Sequence, residues 1–101
     1  MDAQKMIVGA CTIELNLPGV QSLKEKRSSI KSLTAQISKK FRVSAAEVGL
    51  HDVWQSATIG VVVVSTNRGH AEEVLDNVAA WIERHRPDVD VIDHSIETLV
   101  L

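Results

Sequence analysis

Hydrophobic and polar residues alternate along the first part of the chain, from residue 6 to residue 17. One set of positions is apolar or small: Ile7, Gly9, Cys11, Ile13, Leu15 and Leu17. The intervening positions are more polar towards the end of the segment: Val8, Ala10, Thr12, Glu14 and Asn16. Alternation with a period of two is typical of a strand that buries one face. Pro18-Gly19 interrupts the pattern, so we expect the strand to end there.

A helical period follows the Pro-Gly break. Ser22, with Glu25 three residues later, matches a capping box, in which two free backbone donors at a helix start are satisfied. From there to about Phe41, apolar residues recur on one arc of a helix: Leu23, Ile30, Leu33, Ile37 and Phe41. The pattern predicts an amphipathic helix that lies on a sheet.

The second half of the chain predicts two strands, a helix and a last strand. Residues 43–49 give a weak strand signal, whereas residues 57–64 form a β-branched run typical of a buried strand. A second helix is expected from near Gly69 to Arg86, because Pro87 cannot continue it. Residues 89–101 are rich in Val and Ile and predict the last strand.

The order βαββαβ predicts the fold class. Two βαβ halves with right-handed crossovers give a ferredoxin-like α+β domain, with a four-stranded antiparallel sheet and both helices on one face. We expect one domain over residues 1–101, with residues 1–5 as an N-terminal extension. Val91-Ile92 breaks the alternation of the last strand, which predicts an irregularity there.

The sheet face without helices is expected to be apolar. It would show Val8, Ala10, Thr12 and Glu14 of the first strand beside Val62 and Val64 of the third. Monomers seldom leave such a strip in water. We therefore expect a homo-oligomer, a dimer or higher, formed through this open face or through a strand edge.

Charge is distributed unevenly, although the net charge of −2 is small. Seven of the 11 Lys and Arg residues lie between Lys24 and Arg42, beside the single acid Glu25. That segment carries +6 and the remainder of the chain −8. Such a local excess of positive charge is a candidate footprint for nucleic acid.

The exposed part of the first predicted helix carries the candidate phosphate contacts. Lys24, Arg27 and Lys31 lie on one flank, with Lys39 and Lys40 beyond them. The alternative is that the string from Ser22 to Arg27 mainly caps and anchors the helix. Both interpretations remain open from the sequence.

Lys26 differs from its neighbours because it falls inside the apolar arc. A free ammonium group there would be unfavourable, so we expect the side chain to reach solvent or an acidic partner. Glu14, Glu47 and Glu97 lie on predicted strands and are the three candidates.

A second group of unusual residues lies between the second and third strands. His51, Asp52, Trp54 and Gln55 form a candidate partner contact, because large aromatic residues are common interface anchors. Asp52 is expected to cap a short helical turn. The alternative is that Trp54 closes one end of the core.

Several function classes have no support in the sequence. No pair of the four histidines has the spacing of a metal motif, and we expect no cofactor. The lone Cys11 is interpreted as a core residue of a protein that resides in a reducing cytoplasm. No apolar run approaches the roughly 18 residues of a membrane span, so a soluble cytoplasmic protein is expected.

The three aromatic residues lie off the first and third strands, so base stacking on the open sheet is not expected.

Two motifs carry a resemblance to a known family. Ser22-Leu23-Lys24-Glu25-Lys26-Arg27 follows the first strand, and Asp52-x-Trp54-Gln55-x-Ala57-x-x-Gly60 leads into the third. With the final Val-Ile-Asp strand, the chain resembles the YlxP-like family of small uncharacterised bacterial proteins. The resemblance implies a ferredoxin-like fold. It also implies that the genes of the family tend to lie near genes for ribosome maturation and translation initiation. It implies no catalytic residue.

Two functional hypotheses follow. The first is a non-enzymatic protein that associates with the ribosomal subunit or ribosomal RNA through the basic first helix. The second is a homo-oligomeric protein-interaction module without a nucleic-acid ligand.

Overall fold

The computed structural model describes residues 5–101. The predicted extension, residues 1–5, therefore lies outside the described residues except for Lys5. The elements follow the predicted order: β1 (Ile7–Asn16), α1 (Leu23–Phe41), β2 (Ser44–Gly49), β3 (Ser56–Ser65), α2 (Arg68–His85) and β4 (Asp90–Val100).

The four strands form one antiparallel sheet in the order β2-β3-β1-β4. The apolar positions of β1 face the two helices, as the alternation predicts. They meet the buried arc of α1 and the apolar face of α2 in one core, which includes Ile13, Leu33, Ile59 and Leu75. The ferredoxin-like α+β fold is confirmed.

Two irregularities interrupt the sheet. Opposite β1, Asp93 pairs with Glu14 and Val91 with Leu15, so Ile92 is the extra residue of a bulge in β4. This confirms the irregularity expected at Val91-Ile92. A second shift occurs between Glu47 and Gly49 of β2, where no sequence pattern predicted an irregularity.

Candidate nucleic-acid interface

The start of α1 is capped by two side chains from the basic string. Ser22 has an extended backbone, and its Oγ accepts a hydrogen bond from the Glu25 N–H at 3.1 Å. The Glu25 carboxylate accepts from the Gln21 N–H at 2.7 Å, not from Ser22 as a capping box requires. The predicted capping role is thus confirmed for Ser22, whereas Glu25 binds the backbone N–H one residue before the predicted one. Both side chains stabilise the helix start.

Lys26 is fully buried and paired inside the fold. Its Nζ lies 2.8 Å from Glu47 Oε2 and donates a hydrogen bond to the carbonyl oxygen of Leu50. We call Lys26, Glu47 and Leu50 the lysine anchor. Glu14 and Glu97, the other two candidates, belong to the opposite face of the sheet, as their cross-strand partners Thr58 and Ala10 show.

The lysine anchor joins α1 to the loop between β2 and β3. Leu50 has a left-handed backbone, with φ of 61°, and its carbonyl oxygen also accepts from the Val53 N–H at 3.0 Å. A buried ammonium group is tolerated when it is paired and hydrogen-bonded. Lys26 is therefore committed to the fold and is not a phosphate contact.

Four cations lie on the outer side of α1: Lys24, Arg27, Lys31 and Lys39. We call these four residues the basic stripe. Their side chains are exposed, and none forms an ion pair with another residue between 5 and 101. Spacings of three, four and eight residues keep them on one side of the helix. The structure therefore brings together four of the five predicted phosphate contacts.

Lys40, the fifth predicted contact, faces α2 instead. It lines a shallow groove between the two helices, with a volume of about 310 Å³. We call this the interhelical groove; its lining residues are Lys40, Phe41, Asn77, Ala80, Trp81, Arg84 and His85. Phe41 and Trp81 pack edge to face with ring centroids 6.2 Å apart. His85 stacks on Trp81 at 5.2 Å, with 21° between the ring planes.

Sequence reasoning missed this groove. Arg84 and His85 lie in the last turn of α2, where positive charge suits the negative end of the helix dipole, and that position alone does not indicate a groove. The spacing of four between Trp81 and His85 is a signal, because it places the two rings on one face of α2. That Lys40 and Phe41 lie opposite them depends on how the helices pack.

Arg86, the residue after α2, fastens the end of that helix to α1. Its Nε and Nη2 donate to the two carboxylate oxygens of Asp88 at 2.9 and 2.8 Å, and its Nη1 donates to Gln36 at 2.7 Å. Ser29 also donates to Asp88 at 2.9 Å. The hydrogen bond from Arg86 lowers the pKa of Asp88 to about 2. Arg86 is thus engaged within the protein.

The loop between β2 and β3 holds the four residues of the predicted partner contact. Residues 51–52 form a turn, so the short helical turn expected after Asp52 is absent from the described chain. Gln55 Nε2 donates to the Val20 carbonyl at 3.4 Å, and His51 Nε2 lies 3.2 Å from the Glu47 carbonyl. Trp54 is 44% exposed and lies outside the core cluster. This exposure favours a contact surface over a core plug.

The open sheet face has an apolar part and an acidic part. Val62, Val64 and Leu99 are 41%, 65% and 53% exposed, so the expected apolar strip is present. Further along, Glu14 lies directly opposite Asp93, whereas the exposed Glu97 lies opposite Ala10 and borders the apolar strip. Like charges across a strand pair repel, so this part of the sheet disfavours an anionic ligand. Glu14 was expected on this face, whereas the position of Asp93 opposite it follows from the strand register and was not predicted.

The remaining reactive side chains are dispersed. Cys11 is buried, and this burial raises the pKa of its thiol to about 11. His94 Nε2 lies 3.3 Å from Asp76 Oδ1 of α2. Between residues 5 and 101, no three metal-binding side chains come together. No helix in the same part of the chain is long and apolar enough to cross a membrane.

Comparisons with known proteins give a family without an assigned activity. The model of the family described as "Protein of unknown function (DUF503)" matches residues 8–96. The uncharacterized protein YlxP of Bacillus subtilis (strain 168) is 35% identical over 77 residues, which cover 76% of this chain and 84% of that relative.

Two solved structures are similar to this chain at low sequence identity. A C-terminal segment of the alpha subunit of aIF2 from Pyrococcus abyssi has a TM-score of 0.51 and 16% identity over 95% of this chain. The chain spans 49% of that segment. The de novo designed protein Foldit4 has a TM-score of 0.48 and 13% identity, over 93% of this chain and 96% of its own. At such identities the likeness concerns the fold alone.

Proposed function

We propose a non-enzymatic, RNA-binding function for this chain, which belongs to the DUF503 family of proteins of unknown function. In this proposal the basic stripe contacts the phosphates of structured RNA, with the ribosomal subunit or its RNA as the target. A bacterial cytoplasmic location follows from that target. The proposal contains no catalytic step, because cations bind phosphate without an acid–base partner.

The observation that carries the proposal is that the cations of the basic stripe are exposed and unpaired among the described residues. Arg86 shows the contrast, because its guanidinium is held by Asp88 and Gln36. Unpaired cations on one helix side release counterions from RNA when they contact phosphates, which favours binding.

The charges elsewhere support one orientation of the protein on RNA. The open sheet face presents Glu14, Asp93 and Glu97, whereas α1 has no acidic residue beyond its first turn. An anionic polymer is therefore attracted to the helices and repelled by the sheet. Contacts of this kind read the shape of the RNA backbone more than its sequence.

The target class rests on the family resemblance. The gene neighbourhood that the resemblance implies, near ribosome maturation and translation initiation, favours ribosomal RNA over other structured RNA. Purified ribosomal subunits and ribosomal RNA fragments are therefore the appropriate first ligands.

The test is a charge reversal of the basic stripe. Lys24→Glu with Lys31→Glu should weaken binding to ribosomal RNA by at least about tenfold at moderate salt. Lys5→Glu with Arg68→Glu is the matched control, because both residues are exposed cations outside the stripe and the change in net charge is the same. Unchanged binding in the first variant, or equal weakening in the control, contradicts the proposal.

A second candidate function is a homo-oligomeric module, and the exposed Val62, Val64 and Leu99 favour it. In a symmetric dimer that overlaps these apolar parts, Glu14 and Asp93 would lie further along the sheet, and Glu97 would border the contact. Sedimentation at high micromolar concentration should give a dimer for wild type and a monomer for Val64→Glu. Val53→Glu, an exposed valine of the β2–β3 loop, is the control. A strictly monomeric wild type contradicts this candidate.

A further inference from the structure

We propose that the interhelical groove binds one unpaired nucleotide of single-stranded RNA, with the base stacked on His85 and the phosphate held by Lys40 and Arg84. The proposal rests on the RNA-binding function above. It adds a site for a base, where the basic stripe provides contacts to phosphates only.

The stacking surface is already built by Trp81 and His85. The two rings are nearly parallel at a centroid distance of 5.2 Å. His85 Nδ1 lies 3.3 Å from the Trp81 carbonyl oxygen, which can only accept, so Nδ1 donates and fixes the ring. One face of the imidazole is thus covered by Trp81. The other face has no aromatic partner in the described chain, and His85 is exposed.

An exposed, oriented ring is the feature that proteins use to hold unpaired bases. Aromatic side chains, histidine included, stack on bases of single-stranded RNA because every base has a π face. In this fold the usual stacking surface is the open sheet. Here that sheet has no aromatic residue on β1 or β3, and the helices carry the rings instead.

The charges around the rings suit a phosphate. Lys40 and Arg84 both line the groove, and neither forms an ion pair with a described residue. Among residues 5–101, no acidic side chain lines the groove. Lys40 Nζ lies 5.8 Å from the centroid of the Phe41 ring, a cation–π distance that keeps the ammonium group beside the aromatic cluster.

The size and position of the groove fit one unit of a longer strand. Its volume of about 310 Å³ lies at the small end of ligand sites, which span about 300–1,000 Å³. Lys39 of the basic stripe lies about 100° from Lys40 around α1, so a strand that leaves the groove must turn across the end of α1 to reach the stripe. The contacts of Arg86 with Gln36 and Ser29 hold the two walls of the groove together.

The test compares two probes of equal phosphate number, an oligoadenylate of about eight nucleotides and the same oligomer without bases. His85→Ala should weaken binding of the oligoadenylate by about 5- to 150-fold, the range for loss of one base–aromatic stack. Binding of the abasic oligomer should stay unchanged. His85→Phe should bind the oligoadenylate nearly as wild type does, and His70→Ala, at the other end of α2, is the control.

A second measurement does not depend on the His85 variants. The chain has two tryptophans, so Trp54→Phe leaves Trp81 as the only one. The oligoadenylate should quench the Trp81 fluorescence of this variant, and the abasic oligomer should not. Equal quenching by both probes, or equal affinity of His85→Ala and wild type for the oligoadenylate, overturns the proposal.

The outcomes separate this proposal from the RNA-binding function. If charge reversal at Lys24 and Lys31 abolishes binding to ribosomal RNA while His85→Ala has no effect with any probe, the basic stripe stands and the nucleotide site is overturned. If wild type binds neither the oligomers nor ribosomal RNA, both are overturned.

Discussion

The lysine anchor and the basic stripe come from the same short stretch of α1, yet they have opposite environments. Lys26 is fully buried against Glu47 and the Leu50 carbonyl, whereas Lys24 and Arg27, two residues before it and one after it, are exposed. Their position around the helix makes the difference, because Lys26 lies on the arc that faces the sheet. A run of basic residues therefore contains charges that are paired inside the fold and charges that are exposed to a ligand. The helix face on which each residue lies decides between the two.

Arg86 is an intermediate case between these two regions. Its side chain is near the surface, as in the basic stripe, but it is engaged by Asp88, Gln36 and Ser29, as in the lysine anchor. Substitutions should accordingly have graded effects on stability: largest at the lysine anchor, moderate at the Arg86 contacts and near zero at the basic stripe.

The largest effect is expected from Lys26→Ala. Removing one partner of a buried ion pair leaves the other charge uncompensated, so the free energy of unfolding should fall by about 3–5 kcal/mol. Urea denaturation measures it. Lys26→Met with Glu47→Leu is the control, since an apolar replacement of both partners should recover most of the loss. A loss below about 1 kcal/mol for Lys26→Ala would show that the lysine anchor contributes little.

A moderate effect is expected from Asp88→Asn. The pKa of Asp88 is lowered to about 2 from an ordinary 3.8, so its ionised form stabilises the fold above pH 3.8, and this contribution is lost as pH falls towards 2. Solvent screens this half-exposed pair, so the variant should lose about 1 kcal/mol at pH 7. Thermal unfolding at a series of pH values measures the difference, which should vanish near pH 2. A pH-independent difference would assign the effect to packing.

A smaller effect, of the opposite sign, is expected from Leu50→Gly. Leu50 has a positive φ, a conformation that glycine adopts without the clash of a Cβ atom, and its carbonyl remains available to Lys26. The free energy of unfolding should rise by up to about 1 kcal/mol, as measured by urea denaturation. A marked loss would indicate that the Leu50 side chain, and not only its carbonyl, belongs to the lysine anchor.

The smallest effect is expected at the basic stripe. Lys24→Ala and Lys31→Ala remove exposed, unpaired charges, so stability should change by less than about 0.5 kcal/mol. Thermal unfolding provides the check. A larger loss would mean that these side chains stabilise the fold, as Lys26 does.

Sequence patterns determine much of this fold because its strands and helices have strong periodicity. The alternation of β1 gives its buried face, and the broken alternation at Val91-Ile92 locates the bulge in β4. The burial of Lys26 also follows from the helical arc. Its partner does not follow, because β2 begins with Ser44, Ala45 and Ala46, which give no sign of which face Glu47 occupies.

Other parts of the candidate site depend on tertiary contacts that no local pattern encodes. Lys40 appears continuous with Lys39 in the sequence, but it lies across the helix, beside Trp81 of α2. The carbonyl of Leu50 is a backbone group, so residue identity does not reveal it as a ligand for Lys26. The acidic part of the open sheet arises because the register places Asp93 opposite Glu14.

The salt dependence of binding to ribosomal RNA tests the central claim, that the basic stripe contacts phosphates, most directly. For wild type, the logarithm of the association constant should fall linearly with the logarithm of salt concentration. Lys24→Ala with Lys31→Ala should make that slope shallower by roughly 1.8, since each lost phosphate contact contributes about 0.9. Equal slopes for wild type and the double variant would contradict the claim.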